Sequence, residues 1–326
     1  MVLYPLKFRQ IYKERVWGGN KLSTVLNRSI KTTVSIGESW ELSSVSGNLS
    51  LVASGFLKGN NIQELIETYM GDIVGDKVYE TFGIELPLLF KLIDSADRLS
   101  VQVHPDDEVA LKRHNAYGKT EMWYVIDASE NSQIYVGFNK DLDMEEFRTR
   151  VQNGSLTEVM NVEQAKKGDV FFLPAGRIHA IGKDLLIAEI QQTSDITYRI
   201  YDWGRENHPL TSREMHPHLA EDVIDYRHHE SYKTRYVAKE DSATELVSCK
   251  YFTTNLLSCS KTADRDYAAL DSFVVYMCPE GEAKLVCDNG SSETISTGET
   301  VLIPAVINSV SIIPKNSVKL LEAYIP

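Results

Sequence analysis

Hydrophobic and polar positions along the chain alternate in short runs, as they do on β-strands, and the clearest change of period comes early. Residues 37–42, Gly-Glu-Ser-Trp-Glu-Leu, alternate with Trp40 and Leu42 on one face and Glu41 on the other. The preceding run 16–20, Val-Trp-Gly-Gly-Asn, reads as a turn. From 61 to 81 the apolar positions Ile62, Leu65, Ile66, Tyr69, Met70 and Ile73 take helical spacing, and Gly71 and Gly75 divide the segment into two helices. Residues 86–93 then read as a buried strand with one odd member, Lys91, since lysine is rarely fully buried. It either reaches a cavity or snorkels to the surface.

Residues 99–104 form a further strand, ended by Pro105, and 106–115 a short helix with acids at its start, where the helix dipole favours them. The runs 121–126 and 133–137 read as neighbouring strands, 142–151 and 156–160 as helices inserted between strands, and 168–173 and 185–191 as strands again. Residues 198–226 are loop-rich with a short helix near 220–225, and from about 238 onward the chain is strand-rich with Gly, Asn and Ser turns. That last part echoes the earlier half. Residues 298–309 match 168–179 in register, Gly298 on Gly168 and Pro304 on Pro174, so that Ser309 falls where His179 stands. The pattern predicts two related β-barrels, of which only the first keeps a histidine at that place.

The length of 326 residues fits one large or two ordinary domains at ~150 residues each. A net charge of −12 speaks against general nucleic-acid or anionic-membrane binding, which needs a basic face; a local cluster of Lys and Arg still allows an anionic small substrate. The four cysteines, Cys249, Cys259, Cys278 and Cys287, form no C-x-x-C pair and read as buried or half-buried thiols of a reduced compartment. The N-terminal residues have no apolar core or small-residue cleavage site, and no run of ~20 apolar residues occurs, so a cytoplasmic protein without a membrane span is expected.

The chemistry concentrates in three stretches. Gln102 and His104 are two apart on a strand and point the same way; Glu121 opens another strand; His179 ends the run 168–179. Two imidazoles, a carboxylate and an amide oxygen make a four-ligand site for a divalent metal that carries one net negative protein charge. Taken singly, each histidine reads as an ordinary polar residue near a strand end; the joint pattern is what points to a metal. The pairs His216/His218 and His228/His229 lie in a polar, loop-rich stretch without flanking strands and are not favoured as ligands. No G-x-G-x-x-G, P-loop or G-x-S-x-G is present to call for a nucleotide or a hydrolase serine.

The run Gly168 to His179, G-x5-P-x-G-x2-H, matches the second cupin motif. Within the cupins, Leu-Ser-Val-Gln-Val-His-Pro at 99–105, Gly-Lys-Thr-Glu-Met-Trp at 118–123 and Thr-Ser-Asp-Ile-Thr-Tyr-Arg at 193–199 resemble type I mannose-6-phosphate isomerase, and Gly-Glu-Ser-Trp-Glu at 37–41 matches its short bacterial members. The resemblance runs from about Tyr4 to Pro326, with the specific motifs between Trp17 and Arg205. It implies a mainly β fold with helical insertions: a cupin (jelly-roll) β-barrel followed by a second, degenerate cupin-like barrel. The expected division is 1–237 for the catalytic domain and 238–326 for the degenerate one. It also implies one zinc ion per chain, held by Gln102, His104, Glu121 and His179. The family's lysine falls on Lys119 and its arginine on Arg199; Ser100 shares the face of Gln102, and Glu189 and Asp195 fall on acidic positions.

The implied reaction interconverts mannose 6-phosphate and fructose 6-phosphate through an enediol. Zinc would act as a Lewis acid at O1 or O2. Lys119 and Arg199 are cations suited to phosphate or a developing oxyanion, Ser100, Lys91 and Asp195 join them as substrate-binding candidates, and Glu189 joins Lys119 and Arg199 as a catalytic candidate. The base is open among Glu189, Asp195, a metal-bound water and neutral Lys119. Bland roles exist for Lys119 as a turn residue and for Arg199 paired with Asp195 or Asp202, and Glu189 sits either beside the metal or bonded to a histidine behind the ligands. The rival readings are a redox-metal cupin dioxygenase and a non-catalytic sugar-binding cupin. Gln102 in place of the usual histidine and the Lys119–Arg199 pair speak against the first, and retention of all four ligands against the second. The partner is a small sugar phosphate rather than a nucleic acid or membrane, and a monomer is consistent with this.

Overall fold

The computed structural model describes residues 2–30 and 33–326. Among these, the first eleven strands are β1 (Ile11–Gly19), β2 (Ile36–Leu42), β3 (Leu88–Ser95), β4 (Val101–Val103), β5 (Glu121–Ala128), β6 (Gln133–Phe138), β7 (Met160–Gln164), β8 (Val170–Leu173), β9 (His179–Ile181), β10 (Leu185–Gln192) and β11 (Tyr198–Tyr201). They form two antiparallel sheets, one in the order β1-β2-β3-β10-β5-β8 and one in the order β11-β4-β9-β6-β7. The C-terminal strands are β12 (Ala243–Ser248), β13 (Thr253–Cys259), β14 (Ala263–Asp266), β15 (Val274–Cys287), β16 (Ser292–Ser296), β17 (Thr300–Ile303) and β18 (Ser309–Tyr324). They make a third sheet, β12-β13-β18-β15-β16, with β14 on β18 and β17 on β15. The helices are α1 (Lys21–Thr24), α2 (Ile62–Tyr69), α3 (Gly71–Val74), α4 (Asp76–Phe82), α5 (Asp107–His114), α6 (Met144–Gln152) and α7 (Pro217–Ala220). None of the described helices is long and apolar enough to cross a membrane.

The six-stranded sheet is covered on both faces, which is why β3 is buried at every position. Its outer face, with Phe90, Leu92, Met122 and Ile190, packs on α2 to α4 and on Val275, Met277, Leu302 and Leu321 of the third sheet, making one continuous core. Its inner face, with Ile93, Trp123, Val125 and Ile187, meets Ile134, Val136 and Ile181 of the five-stranded sheet. Lys91 and Glu189 belong to that inner face and line a cavity with Gln102 and Lys119. The N-terminal segment crosses to the third sheet through the Leu6–Leu302 bridge.

Several expectations change. Residues 16–19 continue β1 instead of turning. Gly18 is there for close approach, since a Cβ would sit 2.6 Å from the Gly37 nitrogen. A bulge between Trp40 and Leu42 sets these residues on opposite faces: Trp40 pairs with Lys91 toward the cavity, while Leu42 pairs with Phe90 and enters the outer core. The segment 61–81 divides into three helices, not two, and 156–160 is a 3-10 turn leading into β7. The short helix expected near 220–225 lies earlier, at α7, and Tyr198–Tyr201 is a strand. His179 begins β9 and does not end a strand, because Pro174 to Ile178 carry the chain from one sheet to the other.

The sequence echo has a counterpart in register. In β8 Leu173 faces Glu121 of β5, and in β17 Ile303 faces Val274 of β15. Valine therefore stands where the first sandwich has its ligand carboxylate. The cysteines are all free, with Cys259, Cys278 and Cys287 buried and Cys249 half-buried.

Candidate metal centre

Two strands of the five-stranded sheet and one of the six-stranded sheet build the centre. Gln102 of β4 faces His179 of β9, and His104 follows β4 on the same side. Glu121 enters from the opposite sheet as the first residue of β5. His104, Glu121 and His179 are buried, with ligand atoms all within 4.8 Å of one another. His179 Nε2 is 3.3 Å from Glu121 Oε1, and His104 Nε2 is 3.6 Å from Oε2. Ligands bonded at ~2.0–2.1 Å around a tetrahedral ion stand roughly 3.3 Å apart, so these separations suit a small dication.

The orientation of each ring is set behind it. His104 Nδ1 donates to the Ile196 carbonyl at 2.8 Å, and His179 Nδ1 to the Arg177 carbonyl at 2.8 Å. Both Nε2 lone pairs therefore face inward. Burial disfavours the imidazolium and the nearby Lys119 ammonium adds to it, holding His104 well below its ordinary value and His179 down at about 3. Both rings are neutral donors at physiological pH. Burial lifts the Glu121 carboxyl to about 7 against the pull of Lys119. Neither Glu121 oxygen has a well-directed hydrogen bond, although Lys119 Nζ lies 2.7 Å from Oε2. A buried carboxylate left this way is what a cation would satisfy. Gln102 presents its amide Nε2 to His179 Nε2 at 3.2 Å, while its Oε1 lies 3.5 Å from Ser100 Oγ and becomes a metal donor on a half-turn of the amide.

Charged residues continue from the centre along a cavity of about 750 Å³. Lys119 Nζ lies 2.9 Å from His104 Nε2, two residues before Glu121 and on its side of the strand. Lys91 does reach the cavity wall. It pairs with Glu189 at 2.9 Å, bonds Gln191 at 2.6 Å, and lies 5.2 Å from the Trp40 ring centroid. Glu189 bonds Trp123 Nε1 at 2.8 Å, and the Trp123 ring packs edge-on against His179. It thus touches the centre through Trp123 and bonds no ligand histidine directly. Burial opposes the charged Glu189, yet Lys91 and Lys119 override it and hold the carboxyl at about 2.

Arg199 lines the same cavity, donating Nε to Ser100 Oγ at 3.3 Å and Nη1 to the Glu214 carbonyl at 2.8 Å. Burial and the neighbouring Arg213 lower its guanidinium to about 10. It bonds neither suggested aspartate: Asp202 is taken by Arg205 and Arg213, and Asp195 lines the same cavity. Ser100 Oγ lies 3.5 Å from Gln102 Oε1.

The cavity also holds residues that the sequence reading passed over. Lys13, Arg15 and Trp17 alternate along β1 and line one wall with Glu38 and Asn48. Glu38 bonds Arg15 at 2.7 Å and Trp40 Nε1 at 2.7 Å. The period-two pattern of β1 was the available signal, hidden by the turn expected at 16–20. His216 sits at the rim, its backbone nitrogen donating to the Arg199 carbonyl at 2.6 Å. His228 and His229 lie apart, His229 pairing with Asp225. Among the described residues, the His104-Glu121-His179 group is the one such donor cluster.

The family model described as phosphomannose isomerase type I, catalytic domain, matches residues 5–141. The chain is 34% identical over 292 residues to mannose-6-phosphate isomerase ManA of Bacillus subtilis, covering 88% of this chain and 89% of that protein. It is 31% identical over 306 residues to the mannose-6-phosphate isomerase of Streptococcus mutans, with 94% of each covered. Among solved structures, the mannose 6-phosphate isomerase from Bacillus subtilis superposes with a TM-score of 0.87 at 29% identity, over 98% of this chain and 99% of that one. A variant phosphomannose isomerase from Salmonella typhimurium, 16% identical, shares the fold at a TM-score of 0.79 over 99% of both chains. With its facing β-sheets and inward His-Glu-His group, this chain has the cupin fold and belongs to the type I mannose-6-phosphate isomerase family.

Proposed function

We propose that this enzyme interconverts mannose 6-phosphate and fructose 6-phosphate with one zinc ion held by Gln102, His104, Glu121 and His179. The observation that carries the reading is the buried, inward-facing His-Glu-His group in contact with Lys119, which lines a cavity together with Gln102, Lys91 and Arg199. When bound there, zinc supplies Lewis acidity to the sugar oxygens at C1 and C2.

The protein's own groups account for the remainder. Lys119, buried beside Glu121 and His104, is assigned to proton transfer in its neutral form: the amine takes the C2 proton as the enediolate forms and returns it to C1. One hydroxyl proton passes from O2 to O1, so the aldose and ketose differ only in the positions of two hydrogens. Glu189 has both oxygens engaged and a carboxyl held at about 2, which makes it a weak base; its part is to keep Lys91 charged and Trp123 fixed against His179. Arg199, anchored through Ser100 and the Glu214 carbonyl, binds the anionic end of the substrate or the developing oxyanion, with Asp195 and Lys91 orienting the hydroxyls.

The site is complete within one chain, so a monomer suffices. The reading assigns 1–237 to catalysis and 238–326 to a degenerate cupin-like domain, and places the enzyme in the cytoplasm with its phosphorylated substrate. Metal analysis of the purified protein tests the metal class: about one zinc per chain with no oxygen consumption is expected, whereas bound iron or manganese with oxygen uptake contradicts it.

A further inference from the structure

The backbone that carries Lys119 into the site is held from outside the cavity. Gly118 N donates to Asp107 Oδ1 at 3.0 Å, Lys119 N to the Pro105 carbonyl at 3.0 Å, and Thr120 N to Gln192 Oε1 at 2.8 Å. Gln192 Nε2 returns to the same Asp107 Oδ1 at 2.9 Å. The fit is close: a Cβ on Gly118 would lie 2.5 Å from the Asp106 carbonyl carbon. One carboxylate thus ties together the residues after His104, the segment before Glu121 and the end of β10.

The second oxygen of that carboxylate is engaged from the third sheet. Tyr251, in the turn between β12 and β13, donates its hydroxyl to Asp107 Oδ2 at 2.5 Å, and Lys250 Nζ lies 3.5 Å away. Burial would push the Asp107 carboxyl up; the bonds from Tyr251, Gln192 and Gly118 outweigh it and keep the group ionised. The cavity walls themselves come from residues between Lys13 and His216.

We propose that Tyr251, acting through Asp107 and Gln192, is a positioning residue that holds Lys119 against the metal centre, so that the C-terminal sheet contributes to turnover without lining the cavity. The proposal rests on the assignment of Lys119 to proton transfer. Loss of the phenol leaves Asp107 held through Oδ1 alone, which loosens the segment 118–120 and misplaces the Lys119 side-chain nitrogen by a fraction of an ångström. Such a displacement affects the proton-transfer step far more than the grip on the phosphate.

Tyr251→Phe removes the hydroxyl and keeps the ring. In the zinc-loaded enzyme, kcat is expected to fall about tenfold with KM within about twofold and zinc content unchanged. Amide hydrogen exchange at Gly118–Thr120 is expected to quicken. Asp107→Asn should give a similar loss, and the double variant should lose little more than either alone, because both break one chain of contacts. Wild-type exchange at 118–120 in Tyr251→Phe would overturn the proposal, and so would faster exchange with wild-type kcat. Failure of the underlying assignment is read separately: Lys119→Met would then retain turnover.

Discussion

Glu322 stands in the C-terminal sheet where Glu189 stands in the N-terminal sandwich. Glu189 of β10 lies in register between Lys91 of β3 and Trp123 of β5; Glu322 of β18 lies between Asn255 of β13 and Tyr276 of β15. Each carboxylate accepts a side-chain bond across the sheet, from Lys91 and Trp123 in one case and from Asn255 in the other. The two frames then part. Glu189 faces a cavity, whereas Glu322 is closed over by Arg265, at 2.7 Å, and by Tyr267, at 2.5 Å. With Val274 in the place of Glu121, the second frame keeps the buried acid and lacks the ligand carboxylate.

That difference predicts that Glu322 matters for stability and not for turnover. Glu322→Gln leaves Arg265 without its counter-charge and puts an amide donor among donors. It should cost about 3 kcal/mol of unfolding free energy while leaving kcat of the folded enzyme unchanged. Urea denaturation followed with activity separates the two effects; a fall in kcat at full stability would give the C-terminal cluster a part in turnover that this account does not.

Lys91 and Glu189 predict a pH-dependent stability. Burial favours the neutral Glu189, and Lys91 and Lys119 override it, setting the carboxyl at about 2 against 4.5 for a free glutamate. A depressed carboxyl contributes stability that is complete above about 4.5 and is lost as pH falls toward about 2. Lys91→Met removes the larger of the two opposing charges. In metal-stripped protein the variant should be less stable than the parent by about 3 kcal/mol at pH 7. The deficit should shrink to roughly half or less at pH 3. Chemical denaturation at the two pH values checks this, and a deficit independent of pH would show that Lys91 acts by packing alone.

The metal ligands and the cavity cations should separate cleanly. His179→Ala removes one inward Nε2 and should lose zinc and activity together. Arg199→Ala leaves His104, Glu121 and His179 in place and should retain zinc while kcat falls by roughly 10²-fold or more. Metal content and steady-state kinetics on both variants decide the matter. Full zinc and full rate in His179→Ala would refute the ligand set, and wild-type behaviour of Arg199→Ala would remove it from the reaction.

Much of the site could be read from residue spacing because its parts are local. Gln102 and His104, and Lys119 and Glu121, are pairs two apart, and period-two geometry places each pair on one face. Other features depend on the far side of the sheet. Lys13, Arg15 and Glu38 belong to the cavity because β1 and β2 pair beside β3, and no local pattern states which strands become neighbours. The bulge after Trp40 reverses one face within a strand that alternates perfectly in sequence. His179 reads as the end of a strand because it closes the run that begins at Gly168, while β8 has already ended at Leu173 and residues 174–178 lead to the other sheet. Tyr251 had no signal, since its partner lies 144 residues away in sequence.

The most direct test is interconversion of mannose 6-phosphate and fructose 6-phosphate by the purified protein, measured before chelation, after chelation and after zinc is restored. This account predicts turnover that disappears with the chelator and returns with zinc. Absence of turnover in the zinc-loaded protein, or turnover indifferent to metal removal, would contradict it.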